Sequence, residues 1–448
     1  MTEFFASLQN PLSQRGRVAL LLLVGLHILT CCLSLIYVMQ YFSGYHLFKF
    51  DVARVHAAVL NVTPVALGAV IFALSRFSFG YFLGFYLYTM ALGFLWIAEF
   101  SLYNYDHVTA SISATASTAA FLIPALFVTS PIRQRLVLSA RSFDRLLVLI
   151  LLVAAGIIAI GAFFNFRMAG IDDIYLLRAQ IDFPLALRYA IGISSSTLLP
   201  FAFACFFIRR QWWQAGTALF LLLLFYPVTL TKISLFAPFW LLFLAALAAV
   251  LEARTAAVTS LFLPALLGLL LIPFEKYGVI SNIHFVDYFG IINFRLFAVP
   301  AVALDMYYDF FSRHELTYFC QIIFLKPFVS CPYSEYLSIV MSKNYALGNV
   351  NASLFATEGI ASLGPKWAPL SIFVCGLVIA LGNRLSVGLP PKLILLSGGI
   401  LTQVFLNVPL TTSLLSNGAA VLFLLWYVTP REMLERSARP DAAPKPGP

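Results

Sequence analysis

The chain has 448 residues, of which 61% are hydrophobic and only 10% charged, with a formal net charge of +9. That balance excludes a soluble globular domain, whose charged fraction is about a quarter. The sequence predicts an all-α polytopic membrane protein: one integral membrane domain over residues 1–437, then a Pro- and Ala-rich tail, 438–448, expected to be disordered and cytoplasmic.

A spanning helix needs about 20 mostly apolar residues. In chain order the apolar runs predict spans at 18–40, 57–75, 78–100, 111–129, 146–165, 187–208, 214–231, 234–252 and 255–273, then 367–382, 391–408 and 411–428, about 12 in all. The first run is longer than a signal-peptide core and no small-residue cleavage site follows it, so it is expected to stay as an anchor. Basic clusters set the orientation. Arg15 and Arg17, Arg133 to Arg145, Arg209 and Arg210, Arg254, Arg384 and Lys392, and the Arg and Lys residues after Thr429 all fall on one side if both termini are cytoplasmic. That assignment puts 16 basic and 6 acidic residues inside, and 12 basic and 13 acidic outside. The excess of positive charge is therefore a topology signal, and no nucleic-acid partner is expected.

A thirteenth apolar run, 286–304, carries Arg295 in its middle. If it crossed the membrane, Arg384, Lys392 and the C-terminal charges would all move outside, against the rule. It is read instead as a re-entrant or interfacial helix within one long outer segment, about 274–366. An ionisable group at membrane depth is costly and is a functional hypothesis by default.

Most spans lack ionisable residues, and the charges gather at outer helix ends. The loop 167–178 offers Arg167 and Arg178, whose guanidinium forks match phosphate oxygens, although the loop can also pair them with its own Asp172 and Asp173. In the hairpin 230–234, Lys232 is either a phosphate partner or a snorkelling helix-end lysine. Arg295 either meets an anionic head group or pins its segment to Asp287 or Asp305. The aromatics Tyr307, Tyr308, Phe310 and Phe311 and those up to Tyr345 form either an interfacial belt or a sugar-holding surface, together with Asp305, Asp309, Asn349 and Asn351. Glu358 opens the last part of this loop among small and apolar neighbours, as a general base requires. Cys320 and Cys331 share the outer loop, as a disulfide or as free thiols. The sequence shows no internal repeat, no phosphate-binding glycine loop and no metal-ligand spacing.

Arg295 with Pro300, the run Tyr307-Tyr308-Asp309-Phe310-Phe311, and Asn349-Val350-Asn351-Ala352 leading through Glu358-Gly359 to Leu363-Gly364 resemble the oligosaccharide repeat-unit polymerases, the Wzy-type O-antigen and capsule polymerase family. Lys232, and Arg178 after Ile174-Tyr175, also look like family features. The resemblance covers about residues 165–385. It implies a GT-C-like helical fold in the bacterial inner membrane and a long periplasmic loop. The implied reaction joins repeat units carried on undecaprenyl pyrophosphate, with no cofactor and no metal. Its implied partners are lipid-linked oligosaccharides and membrane lipids, with a chain-length regulator and a flippase. In this reading Glu358, Arg295 and Asp305 form the catalytic set, Glu358 being the favoured base with Asp305 and His284 behind it. Arg167, Arg178 and Lys232 face the diphosphate, and Tyr307, Tyr308, Asn349 and Asn351 hold sugar. A ligase-like glycan transferase has the same site logic. A transporter or flippase for the lipid-linked sugar would carry charges within its spans and repeated halves.

Overall fold

A computed structural model describes residues 14–45, 47–168, 170, 177, 180–322, 324–345 and 352–438. The chain is an all-helical polytopic membrane protein. Among the described residues, eleven helices are long and apolar enough to cross a membrane, and the sole β pairing is a single antiparallel bridge between Phe48 and Ser101. The helices are α1 (Gln14–Tyr41), α2 (Val55–Gly68), α3 (Val70–Leu74), α4 (Phe79–Ala98), α5 (His107–Phe127), α6 (Ala140–Phe164), α7 (Leu185–Ile193), α8 (Leu199–Ile208), α9 (Trp212–Thr229) and α10 (Lys232–Val250). They continue as α11 (Ala253–Lys276), α12 (Asn282–Phe289), α13 (Val299–Phe311), α14 (Leu337–Tyr345), α15 (Ser362–Ser386), α16 (Pro391–Phe405), α17 (Leu410–Leu415), α18 (Ala419–Val428) and α19 (Arg431–Ala438). The last two expected spans are realised as shorter apolar helices, α16 and α18.

Side chains start several of these helices by occupying an otherwise orphaned N–H. Ser78 accepts from the Tyr81 amide, Asp106 from Thr109, Ser139 from Ser142 and Thr231 from Ser234. Three π-helical segments interrupt the pattern: Ser194–Leu198, Gly290–Ala298 and Phe355–Ala361. The first two end just before Pro200 and Pro300. A proline lacks the N–H and crowds the carbonyl four residues back, so the turn ahead of it widens.

The chain forms two compact units, each from separate stretches: Met1–Val128 with Arg254–Ala380 and Phe405–Leu410, and Thr129–Ala253 with Leu381–Val404 and Thr411–Pro448. In the first unit α4 is the hub, and every one of its residues is buried. Glycines let its neighbours close in: a Cβ at Gly93 would lie 3.3 Å from the Ala301 Cβ. The two ends of this unit can be told apart. At the lower end, Arg254 at the start of α11 donates to the Ser75 carbonyl at 2.9 Å. At the upper end, Tyr41 at the end of α1 donates to Glu275 at the end of α11 (3.1 Å), and the Phe48–Ser101 bridge joins the loops after α1 and α4.

This frame decides the path of 282–311. By length and composition that segment could cross a membrane. It nevertheless begins and finishes at the upper end. Asn282 donates to Glu275 (2.8 Å) and Phe285 packs on Tyr41 (5.1 Å between centroids). The segment then dips, so that Asn293 reaches Ser34 (2.8 Å), about two turns in from the end of α1. It rises again until Asp305 meets Ser101 and Tyr105 in the upper loop. The segment 286–304, expected to be re-entrant or interfacial, thus lies within the continuous helical run of α12, the π segment and α13, both ends of which contact the upper end of the unit.

A second dip follows. Gly364 has φ +73° and breaks the helix that starts at Phe355. The short leg 355–363 folds back along α15: Gly359 rests on Ala368 and Ile372, and the Glu358 carbonyl accepts from Ser371 (2.7 Å). Phe355 and Gly376 both pack against Phe121, well inside the unit, whereas Pro365 meets Ser113 near the upper end (2.6 Å).

The second unit also has two distinguishable ends. Arg209 pairs with Asp144 (2.6 Å), Arg384 donates to the Ser130 carbonyl, and Arg431 to that of Leu385. At the other end Asn165 donates to the carbonyls of Pro227 (3.0 Å) and Val228 (2.9 Å), holding the loop after α6 against the α9–α10 turn.

Candidate active site at the upper end of the first unit

Three carboxylates are buried here: Asp305 and Asp309 on α13, and Glu358 on the folded-back leg. Their helices explain why. Asp305 and Asp309 stand one helical turn apart and so share a face. That face turns toward the loop 99–106 and the segment 312–345, while the apolar residues of α13 rest on α4.

Asp305 accepts from Ser101 (2.6 Å) and, through its other oxygen, from Tyr105. Asp309 accepts at Oδ2 from Arg313 and from Tyr345 (2.6 Å). Tyr345 also touches Tyr103 edge-on at 5.2 Å, and His107 lies 4.1 Å from the Tyr105 ring. Burial first, then the charge of Asp305, pushes the Tyr103 and Tyr105 hydroxyls up; for Tyr345 the causes are burial, then the hydrogen bond to Asp309. All three tyrosines therefore stay protonated near neutral pH, and Tyr105 and Tyr345 act as donors to carboxylates.

Glu358 accepts from the Thr357 hydroxyl at 2.5 Å and lies within electrostatic reach of Tyr307. The sequence reading puts Glu358 in a loop; the structure puts it on a helical leg, because the chain turns back at Gly364 and not before it. The aromatic run is also placed differently. Tyr307, Tyr308, Phe310 and Phe311 are buried and form no surface. They are roofed by 312–345, where Tyr333 packs on Phe310 and Phe311 and donates to the Glu315 carbonyl (2.7 Å). The Tyr308 hydroxyl meets Ser113. Cys320 and Cys331 form a disulfide across this roof, and Thr317 ties it to Ala361 through its amide (2.8 Å).

Arg295 sits on the exposed side of the dip, on the π segment between the buried Asn293 and Phe297. Arg167 and Lys232 belong to the second unit. There the Arg167 amide bonds to the Pro227 carbonyl (3.0 Å), which brings the arginine loop beside the turn that carries Lys232; Arg167 Nη1 also reaches Gln180 at 3.5 Å. Arg178, Asn349 and Asn351 lie outside the described residues, as does the tail beyond 438. His284 has its Nδ1 taken by Ser281.

Sequence reasoning passed over Ser101, Tyr103, Tyr105, His107 and Arg313. A signal was available: Tyr103, Tyr105 and His107 alternate from the loop after α4 to the start of α5, polar aromatics just beyond a helix with no charged residue. Among the described residues no group of three or more His, Cys, Asp or Glu is placed to hold a metal ion. What the arrangement offers is acid–base chemistry on hydroxyl groups: carboxylates fixed by tyrosines, with aromatic faces around them. Searches against protein-family models, curated proteins and solved structures return no match to this chain.

Proposed function

We propose that the chain is a membrane glycosyltransferase that extends a glycan by joining oligosaccharide units carried on an isoprenoid diphosphate. The observation that carries this reading is the burial of Asp305, Asp309 and Glu358 on two helical dips that share one end of the first unit. A buried carboxylate is costly and persists where it is paired or has a task. A site at the bundle's end, with apolar helices beneath, suits a substrate whose lipid stays in the membrane and whose sugars stand in water.

In this reading the acceptor hydroxyl attacks the anomeric carbon of the donor chain. The bond from that carbon to the diphosphate breaks, and its electron pair leaves on the diphosphate oxygen. One buried carboxylate takes the hydroxyl proton. Arg295, on the exposed face of the dip, meets the charge that develops on the leaving diphosphate. Holding donor and acceptor together supplies much of the rate.

The upper end faces the periplasm of a bacterial inner membrane. Two features support that orientation. The Cys320–Cys331 bond is stable in an oxidising compartment, and Arg254 at the lower end of the same unit fits a cytoplasmic face. A chain-length regulator and a flippase are the expected partners.

The test is chain extension in membrane vesicles supplied with lipid-linked repeat units extracted from the source cells. Wild-type vesicles should build a ladder of longer chains and release the isoprenoid diphosphate. Units that stay unjoined, or that only change leaflet, would sink the transferase reading.

A further inference from the structure

A general base needs a free oxygen aimed at the proton it takes, and a second group to hold it in place. The three buried carboxylates differ on this point. Asp305 has both oxygens engaged, by Ser101 and Tyr105. Glu358 is engaged by Thr357 at Oε2, and its backbone carbonyl by Ser371. Asp309 is held at one oxygen only: Arg313 and Tyr345 both donate to Oδ2. Among the described residues, its Oδ1 is the buried carboxylate oxygen with no hydrogen-bond partner. Native structures rarely leave such an atom unmet, and a catalytic role is one of the recognised reasons.

Access also favours Asp309. Its side chain is 2% exposed, but that of Arg313, which covers it, is 59% exposed. The carboxylate thus lies one side chain beneath the surface of the upper end. The groups that face it are Asp305 from its own helix, Arg313 from the start of the roof, Tyr345 from α14, and Tyr103 and Tyr105 from the loop after α4. Arg313 and Tyr345 hold the carboxylate by Oδ2, which leaves Oδ1 to receive a proton. The tyrosine rings provide flat faces of the kind that pack against sugar rings.

We infer that Asp309, and not Glu358, is the base of the proposed transfer. Its Oδ1 accepts the hydrogen bond of the acceptor sugar's hydroxyl and then its proton, as that oxygen bonds to the donor's anomeric carbon and the diphosphate departs. Arg313 and Tyr345 are positioning residues for it. This inference rests on the transferase reading.

The experiment is the vesicle assay with extracted lipid-linked repeat units, run on wild type, Asp309→Asn, Asp309→Glu and Glu358→Gln between pH 7 and 9. Asp309→Asn should lose about 10²- to 10⁴-fold in rate, the usual contribution of a general base. Its residual rate should climb about tenfold per pH unit as acceptor alkoxide replaces the missing base, while wild type stays nearly flat. Asp309→Glu should recover part of the loss, and Glu358→Gln should keep the wild-type pH profile. Wild-type extension with Asp309→Asn within threefold of it overturns the assignment, as does a loss that is equal at every pH in a variant that melts like wild type. A wild type that extends nothing would count against the transferase reading itself, so the two failures are distinguishable.

Discussion

Two buried helices of the first unit, α4 and α13, are neighbours and opposites. All twenty residues of α4 are buried, and its polar side chains are hydroxyls, one indole and no charge. From Pro300 to Phe311, α13 is buried as completely, yet it carries two carboxylates. The first helix is what hydrophobic burial produces when nothing opposes it. The second is held against its own solvation preference by four partners: Ser101 and Tyr105 from one loop, Arg313 just after the helix, and Tyr345 from α14. One helix is a support, and the other carries a buried polar cluster that the support keeps in place.

That contrast can be broken or sharpened by substitution. The largest effect should come from the charged side. Arg295→Ala should cut chain extension about 10³-fold, the scale of losing a group that meets developing negative charge, with the protein still inserted at normal levels. A gel ladder of normal chain lengths from this variant would contradict the role proposed for Arg295. Next comes Asp305→Ala. It leaves the Ser101 and Tyr105 hydroxyls without their buried acceptor and should cost about 3 kcal/mol, read as a lower melting point in detergent.

On the supporting side the effects are those of packing. Gly93→Leu should force α4 and α13 apart and cost about 1–3 kcal/mol, whereas Gly25→Leu, with nothing within 4 Å of its added Cβ, should be near neutral. Equal melting points for the two variants would show that α13 does not lean on α4. Smaller still is Tyr86→Phe. It removes a 2.7 Å bond to Ser260, which keeps a bond to the Ala257 carbonyl, so the expected cost is about 1 kcal/mol with chain extension unchanged.

The tyrosine donors add a pH signature. Their hydroxyls are raised above the ordinary value in the folded state, so the stability they bring is complete below about pH 10 and is lost as pH rises beyond it. Alkaline melting curves of Tyr105→Phe should show a shallower fall above pH 10 than those of wild type.

The spans were readable because eighteen or more apolar residues have few other uses, and the charge census set the run 286–304 apart from them. Their folding into dips was less legible. A dip and a span draw on the same residues, and only the ends reveal the difference, through partners far away in sequence such as Tyr41 with Phe285 or Ser101 with Asp305. Pro300 and Gly364 were visible punctuation, but neither says which way the chain turns. Arg295, Asp305 and Glu358 stood out as charges in apolar surroundings. Tyr105 did not, and Tyr345 stood out only as one of the loop aromatics, because a tyrosine near a membrane boundary is ordinary until its hydroxyl is seen on a carboxylate.

The enclosure of α4 has a consequence for the surroundings in which the protein works. Changes in bilayer thickness or acyl-chain length act on the helices that face lipid, such as α2 with its exposed Val59, Leu60 and Leu67. The platform beneath Asp305 and Asp309 meets no lipid at all. Transfer rates should therefore stay level across nanodiscs of short and long acyl chains, even where the melting temperature of the whole protein moves.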